Sequence, residues 1–192
     1  MKKYLSVLLA VLLILSLAAC GGKEKPAAPD TDGSSVQSAL DLLTQVWDSY
    51  GEDEKFSAAG GDMTEENMAM DMPGKFGVGD AQMLDSILGF PGASVEKIDE
   101  AASLVHMINA NTFTCGAFHA VNTGDVEDLA AAIKDNIMQR HWMCGFPDKL
   151  AVVKLDGYVV SVFGHTELVD TFVSHLNAVY PAAETFCDEP IG

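Results

Sequence analysis

Sulfur is the element best placed to do chemistry in this chain, and it occurs in three settings. Cys20 closes the run Leu17-Ala18-Ala19-Cys20. Met68-x-Met70-x-Met72 sets three thioethers at alternate positions, with Met63, Glu65, Glu66 and Asp71 close by. Cys115, Cys144 and Cys187 are the other thiols, and His141 stands three residues before Cys144. A cysteine behind Leu-Ala-Ala is a site for diacylglycerol attachment, with cleavage between Ala19 and Cys20. Thioethers are soft ligands suited to Cu(I), although methionine is also the usual filler of irregular gaps in cores. His141 and Cys144, three apart on one helix, could face a single zinc ion. Cys115 and Cys144 could form a disulfide if the intervening helix returns toward the strand that carries Cys115.

Catalytic arrangements are harder to find. Cys115 and His119 share a strand face but lie roughly 13 Å apart at 3.3 Å per residue, too far for a nucleophile–base pair. There is no nucleophile elbow, zincin motif or phosphate loop. Carboxylate pairs are uninformative where 28 residues are Asp or Glu. No catalytic residue is assigned, no cofactor is implied, and a non-enzymatic module is expected. The alternatives are copper or zinc handling through Met68, Met70, Met72, His141 and Cys144, and a Cys-dependent enzyme using Cys144 with His141.

What precedes and follows Cys20 sets the location. Lys2 and Lys3 lead into an apolar run over Leu5–Leu17, then small residues: the order of a secretory signal rather than of a spanning helix, which needs about 20 apolar residues. Residues 1–19 are read as a lipoprotein signal peptide. Residues 20–33 are read as a lipidated cysteine and a flexible linker, whose reach as a coil is roughly 20 Å. The expected location is the extracytoplasmic face of a cell membrane, held to the lipid bilayer through Cys20. An unidentified envelope protein or small ligand is the expected partner. The net charge of −17 becomes −19 without residues 1–19, from 9 Lys+Arg against 28 Asp+Glu. Such a chain cannot neutralise phosphates, so nucleic acid is not expected as a partner. With Cys20 acylated, three thiols remain, an odd number that argues against a full disulfide framework.

The elements that must position these groups follow from periodicity. Residues 34–181 are read as a single α+β domain and 182–192 as an acidic tail. Ser34 or Ser35 can cap a helix whose face is Val36, Leu40, Leu43, Trp47 and Tyr50. A short helix is plausible over Thr64–Met70, and another begins at Asp80. Ser94–Asn109 fits either helix or strand. Phe113–Val121 alternates as a strand. Asp125 begins a helix with Val126, Leu129, Ala130, Ile133, Ile137 and His141 inward. Leu150–Leu155 and Tyr158–Phe163 flank Asp156-Gly157, a type I′ hairpin signal. One face of that hairpin should be apolar; the other, with Lys154 and Ser161, partly wet. Glu167–Tyr180 is a helix stopped by Pro181. The order is N-terminal helices, then a β-α-β-β-α unit, giving a small sheet with helices packed on one face.

In this order the chain resembles a family of small Gram-positive lipoproteins known as domain of unknown function 4358. Phe113–Val121, the run Arg140-His141-Trp142-Met143-Cys144, the turn to Asp148-Lys149 and the Asp156-Gly157-Tyr158 hairpin carry the resemblance. It implies a lipobox, a linker and one domain of this size, and brings no activity, cofactor or catalytic residue with it.

Overall fold

The computed structural model describes residues 36–143 and 145–192. The readings for residues 1–35, Ala19 and Cys20 among them, and for Cys144 fall outside the described residues. The first helix, α1, spans Ala39–Asp48. Its cap is Ser38, whose Oγ accepts from the Asp41 amide at 2.9 Å. Ala39, Leu42, Leu43, Val46 and Trp47 form its buried face. Two very short strands follow, β1 (Ala58–Gly60) and β2 (Ala69–Met70), then β3 (Gly74–Phe76).

The helix expected over Thr64–Met70 does not form. The Asp62 carboxylate captures the amide and hydroxyl of Thr64 and the amide of Asn67 side chain. That folds 62–67 into a tight turn and delivers β2 alongside β1. Local side-chain bonds of this kind compete with helix formation.

Helix α2 (Ala81–Leu88) forms as its sequence signals indicate. Asp80 accepts from the amides of Gln82 and Met83, and Gly89 closes the helix at a left-handed φ of 68°. Beyond a 3₁₀ turn at Gly92–Lys97, the ambiguous stretch is strand β4 (Ile98–His106). It is buried on both faces, so its apolar run carries no alternation to read. The rest is β5 (Phe113–Ala120), α3 (Val126–Met138), β6 (Lys149–Leu155), β7 (Tyr158–Gly164), α4 (Thr166–Val179) and β8 (Glu184–Pro190).

The class is α+β, with an antiparallel sheet of eight strands in the order β2-β1-β4-β5-β7-β6-β8, β3 pairing with β4 beside β1. β5 and β6 run parallel but are separated by β7, so α3 crosses over one strand. The hairpin keeps its two-residue turn, with Leu155 opposite Tyr158 and a left-handed φ of 51° at Asp156.

Helices cover the sheet on both faces, not one. On one side α1 and α4 pack on Ala102, Leu104, Cys115, Ala117, Val153 and Val160. On the other, α2 and α3 pack on Ala101, Phe118, Val152, Val159 and Phe163. The hairpin face expected to be partly wet is therefore dry, and Ser161 is fully buried. The seven-residue spacing of apolar positions in α3 supplies the second cover.

The segment 182–192, expected as an acidic tail, is also part of the sheet: β8 pairs with β6 from Lys149–Pro190 to Lys154–Glu184. Three lysines hold its charges. Lys149 lies 2.6 Å from Asp188, Lys134 lies 2.5 Å from Glu189, and Lys154 lies 3.6 Å from Glu184. Among the described residues no helix is long and apolar enough to cross a membrane.

Candidate functional site

Helix α3 ends at Met138, three residues short of His141, with Gln139 as its cap. The chain then leaves the helix without regular structure, and this exit lines a cleft. Trp142 lays its ring 5.3 Å from that of Phe163 on β7. Arg140 swings back to donate to the Ser86 carbonyl near the end of α2. Its guanidinium also sits 5.3 Å from the centre of the Trp142 ring, a cation–π distance. Opposite them, the 3₁₀ turn Ala110–Thr112 and Thr114 form the second wall. The enclosed volume is about 330 Å³, at the small end of ligand sites.

Three properties of this cleft bear on its chemistry. First, Arg140 is the only arginine in the chain, and His141 beside it is exposed. Second, none of the described residues lining it is Asp or Glu; the adjoining cleft, which shares Ser86 and Arg140 with it, carries one acid, Asp85, and the cleft at the far end of α3 carries Glu127, Asp156 and Glu184. Third, Trp142 Nε1 is buried and meets no acceptor among the described residues. A buried donor left unpaired costs about 1–3 kcal/mol. The two hydroxyls on the walls are committed to backbone carbonyls: Thr114 Oγ1 to Ala110 at 2.9 Å and Ser86 Oγ to Met83 at 3.3 Å.

His141, expected on the buried stripe of α3, is thus outside the helix and in the cleft wall. The zinc pairing expected of it with Cys144 involves a residue outside the described ones. The expected bridge from Cys115 to Cys144 also involves a residue outside the described ones. Cys115 is a free thiol, completely buried between the sheet and α1 and α4. The cleft exit lies on the other face of the sheet, with Thr114 and Phe163. Burial pushes the Cys115 thiol well above its ordinary range, which makes it a packing residue rather than a nucleophile. Cys187 is a second free thiol, half-buried in β8 and likewise pushed up by burial.

Three of the other histidines are engaged elsewhere. His106 Nδ1 accepts from the amides of Ile108 and Asn109. His119 Nδ1 lies 2.6 Å from Asp99. His175 contacts Ser49 at 2.8 Å and stacks on Tyr50. His165 precedes α4. Met68, Met70 and Met72 lie at the β2 end of the sheet and are each about half exposed, not packed in a core. The structure therefore separates the proposed metal set: the methionines occupy the sheet's end and His141 the cleft. Among His, Cys, Asp and Glu, no group of three could hold a metal ion among the described residues.

Sequence reasoning passed over Arg140. The available signal was its singularity, one arginine among 28 acidic residues. Set against family models, curated proteins and solved structures, the chain matches none of them.

Proposed function

We propose that this chain is a lipid-anchored, extracytoplasmic binding module that takes a small anionic ligand into the Arg140–His141–Trp142 cleft. One observation carries the reading: the only guanidinium of a strongly acidic chain lines a carboxylate-free cleft beside an indole and an imidazole. In a chain of net charge −17, the surrounding field repels anions. A cleft cleared of acids and furnished with Arg and His is the local exception, and the guanidinium fork suits a carboxylate. Trp142 and Phe163 give such a ligand a flat apolar wall. Binding rather than turnover is supported by the Thr114 and Ser86 hydroxyls, both tied to carbonyls. The anchor rests on Leu17–Cys20, and kinship with the lipoproteins of domain of unknown function 4358 belongs to the same proposal.

The full chain in detergent, titrated with indole-3-acetate and with its neutral amide, tests the cleft. Trp47 and Trp142 give two indole N–H signals by NMR, and that of Trp47 is fixed on the Asp71 carbonyl at 2.9 Å. The acid should shift the Trp142 signal alone, the amide should do so at least ten-fold more weakly, and R140Q should abolish the difference. Equal responses to acid and amide, or an unchanged response in R140Q, would overturn the cleft assignment. For the anchor, Cys20→Ser should move the protein from the membrane to the soluble fraction.

A further inference from the structure

One end of the sheet presents apolar loops to solvent. Ile108, between β4 and β5, is 82% exposed, and Met143 and Phe146, between α3 and β6, are 90% and 71% exposed. The fold sets these two loops side by side. The Asn111 side-chain amide donates to the Gly145 carbonyl at 3.1 Å, and a Cβ on Gly145 would stand 3.5 Å from the side-chain nitrogen of Asn109. His106 Nδ1 accepts from the amides of Ile108 and Asn109, which fixes the turn that presents Ile108. Exposed apolar side chains gathered at one end, with polar residues around them, mark a contact surface.

Charge tells what kind of surface it meets. Both loops come from runs without one Asp or Glu, 101–124 and 136–147, in a chain with 28 acids. They carry His106, Arg140 and His141 instead. On the β6 side, Asp170 and Asp188 lie 2.5 and 2.6 Å from Lys149, and Asp148 accepts from the Thr166 amide. The exposed methionines of the β2 end, by contrast, stand among Glu65, Glu66 and Asp71. A bilayer offers phosphates above an apolar layer. It repels carboxylates, attracts cations and takes up apolar side chains. The tether favours it over a diffusing partner. Residues 20–35, drawn out at 3.3–3.6 Å each, reach about 55 Å, and β5, with eight residues, is about 26 Å long. A domain held at Cys20 can therefore turn this end to the membrane, and the tether keeps the local concentration of that surface high.

We infer that the tip formed by Ile108, Met143 and Phe146 docks on the bilayer, with these three side chains in its apolar layer and Arg140 and His141 beside the phosphates. This rests on the reading of Cys20 as an anchor and is independent of what the cleft binds.

The full chain in phosphatidylcholine nanodiscs that carry a nitroxide-labelled lipid tests it. By NMR of labelled methyl groups, the signals of Ile108 and Met143 should broaden. That of Val121, also exposed but past the far end of β5, should stay sharp. In I108S/M143S/F146S the broadening of the Met107 methyl, on the same loop as Ile108, should fall at least five-fold. The three replaced side chains are exposed, so the fold is kept, and unchanged amide signals in β5 and β7 verify it. The inference fails if Ile108 and Met143 stay sharp, if Val121 broadens as much as they do, or if Met107 broadens equally in the triple variant. It also fails if the Ile108 and Met143 signals move with protein concentration in the absence of lipid, which would mark a second copy as the occupant. Fractionation of C20S decides the anchor; the methyl signals decide the docking.

Discussion

The centre and the β2 end of this sheet are held together by different physics. At the centre, β5, β7 and β6 are seven or eight residues long and sealed on both faces, so burial of Phe118, Phe163, Val153 and Val160 does the holding. At the other end β1, β2 and β3 have two or three residues each, too few to bury a face. That end is fastened by polar pegs and close backbone contact. Ser103 on β4 is fully buried, with its hydroxyl bridging the amide and the carbonyl of Gly61 at 2.9 and 3.1 Å. A Cβ on Gly60 would stand 2.0 Å from the Gly74 amide nitrogen, so only glycine admits the crossing there. Asp62 ties the turn to Gly77. The difference teaches where exposed side chains can be tolerated. Because pegs hold the end, its methionines are free of packing duty.

The contrast can be broken at several points. Phe172→Ala in α4, in the sealed core, is expected to cost about 3–5 kcal/mol in denaturant unfolding, whereas Met70→Leu should stay within about 0.5 kcal/mol. Comparable losses from the two would mean that the methionines are core residues after all. Ser103→Ala should cost about 1–3 kcal/mol, and amide exchange should quicken at Gly61 before it quickens in β5 or β7. Simultaneous quickening would show one cooperative unit and no separate fastening.

The gentlest probe is acid. Burial by itself pushes the Asp62 carboxyl up. The bonds from the side chains of Thr64 and Asn67 and the amides of Thr64 and Gly77 outweigh that and hold it below the ordinary 3.8. A depressed carboxylate contributes stability that is fully present above the unfolded value and lost as pH falls through the folded one. The amide signals of Thr64 and Gly77 should therefore hold constant from neutrality down to that ordinary value and move only below it. Asp62→Asn should flatten the curve; movement already at pH 5 would refute the assignment.

The parts legible in the sequence are those whose signals are local. Asp80 and Gly89 bracket α2 within ten residues, Asp156-Gly157 marks its own turn, and the period of α3 and α4 names their buried faces. The illegible parts depend on partners far away in the chain. β8 reads as a solvated tail because its acids look unpaired until Lys134, Lys149 and Lys154 are placed beside them. β1 to β3 are too short to show a period. The second helical cover was missed because Lys154 and Ser161 suggested a wet face, although α3 buries it. Of the cleft, the sequence showed His141 but not its release from the helix. That depends on Trp142 finding Phe163 and Arg140 finding Ser86.

The lysine-held β8 also bears on how crowded copies of this protein behave. An open sheet edge is a template for another chain. Here the β8 edge ends in Pro190 and carries Glu184, Asp188 and Glu189, while the far edge is a strand of two residues. A second chain meeting this edge would find carboxylates already paired with lysines and, at the end of the ladder, a proline that donates no hydrogen bond. Pro190 at one edge and the shortness of β2 at the other are what blunt this sheet against pairing with another chain.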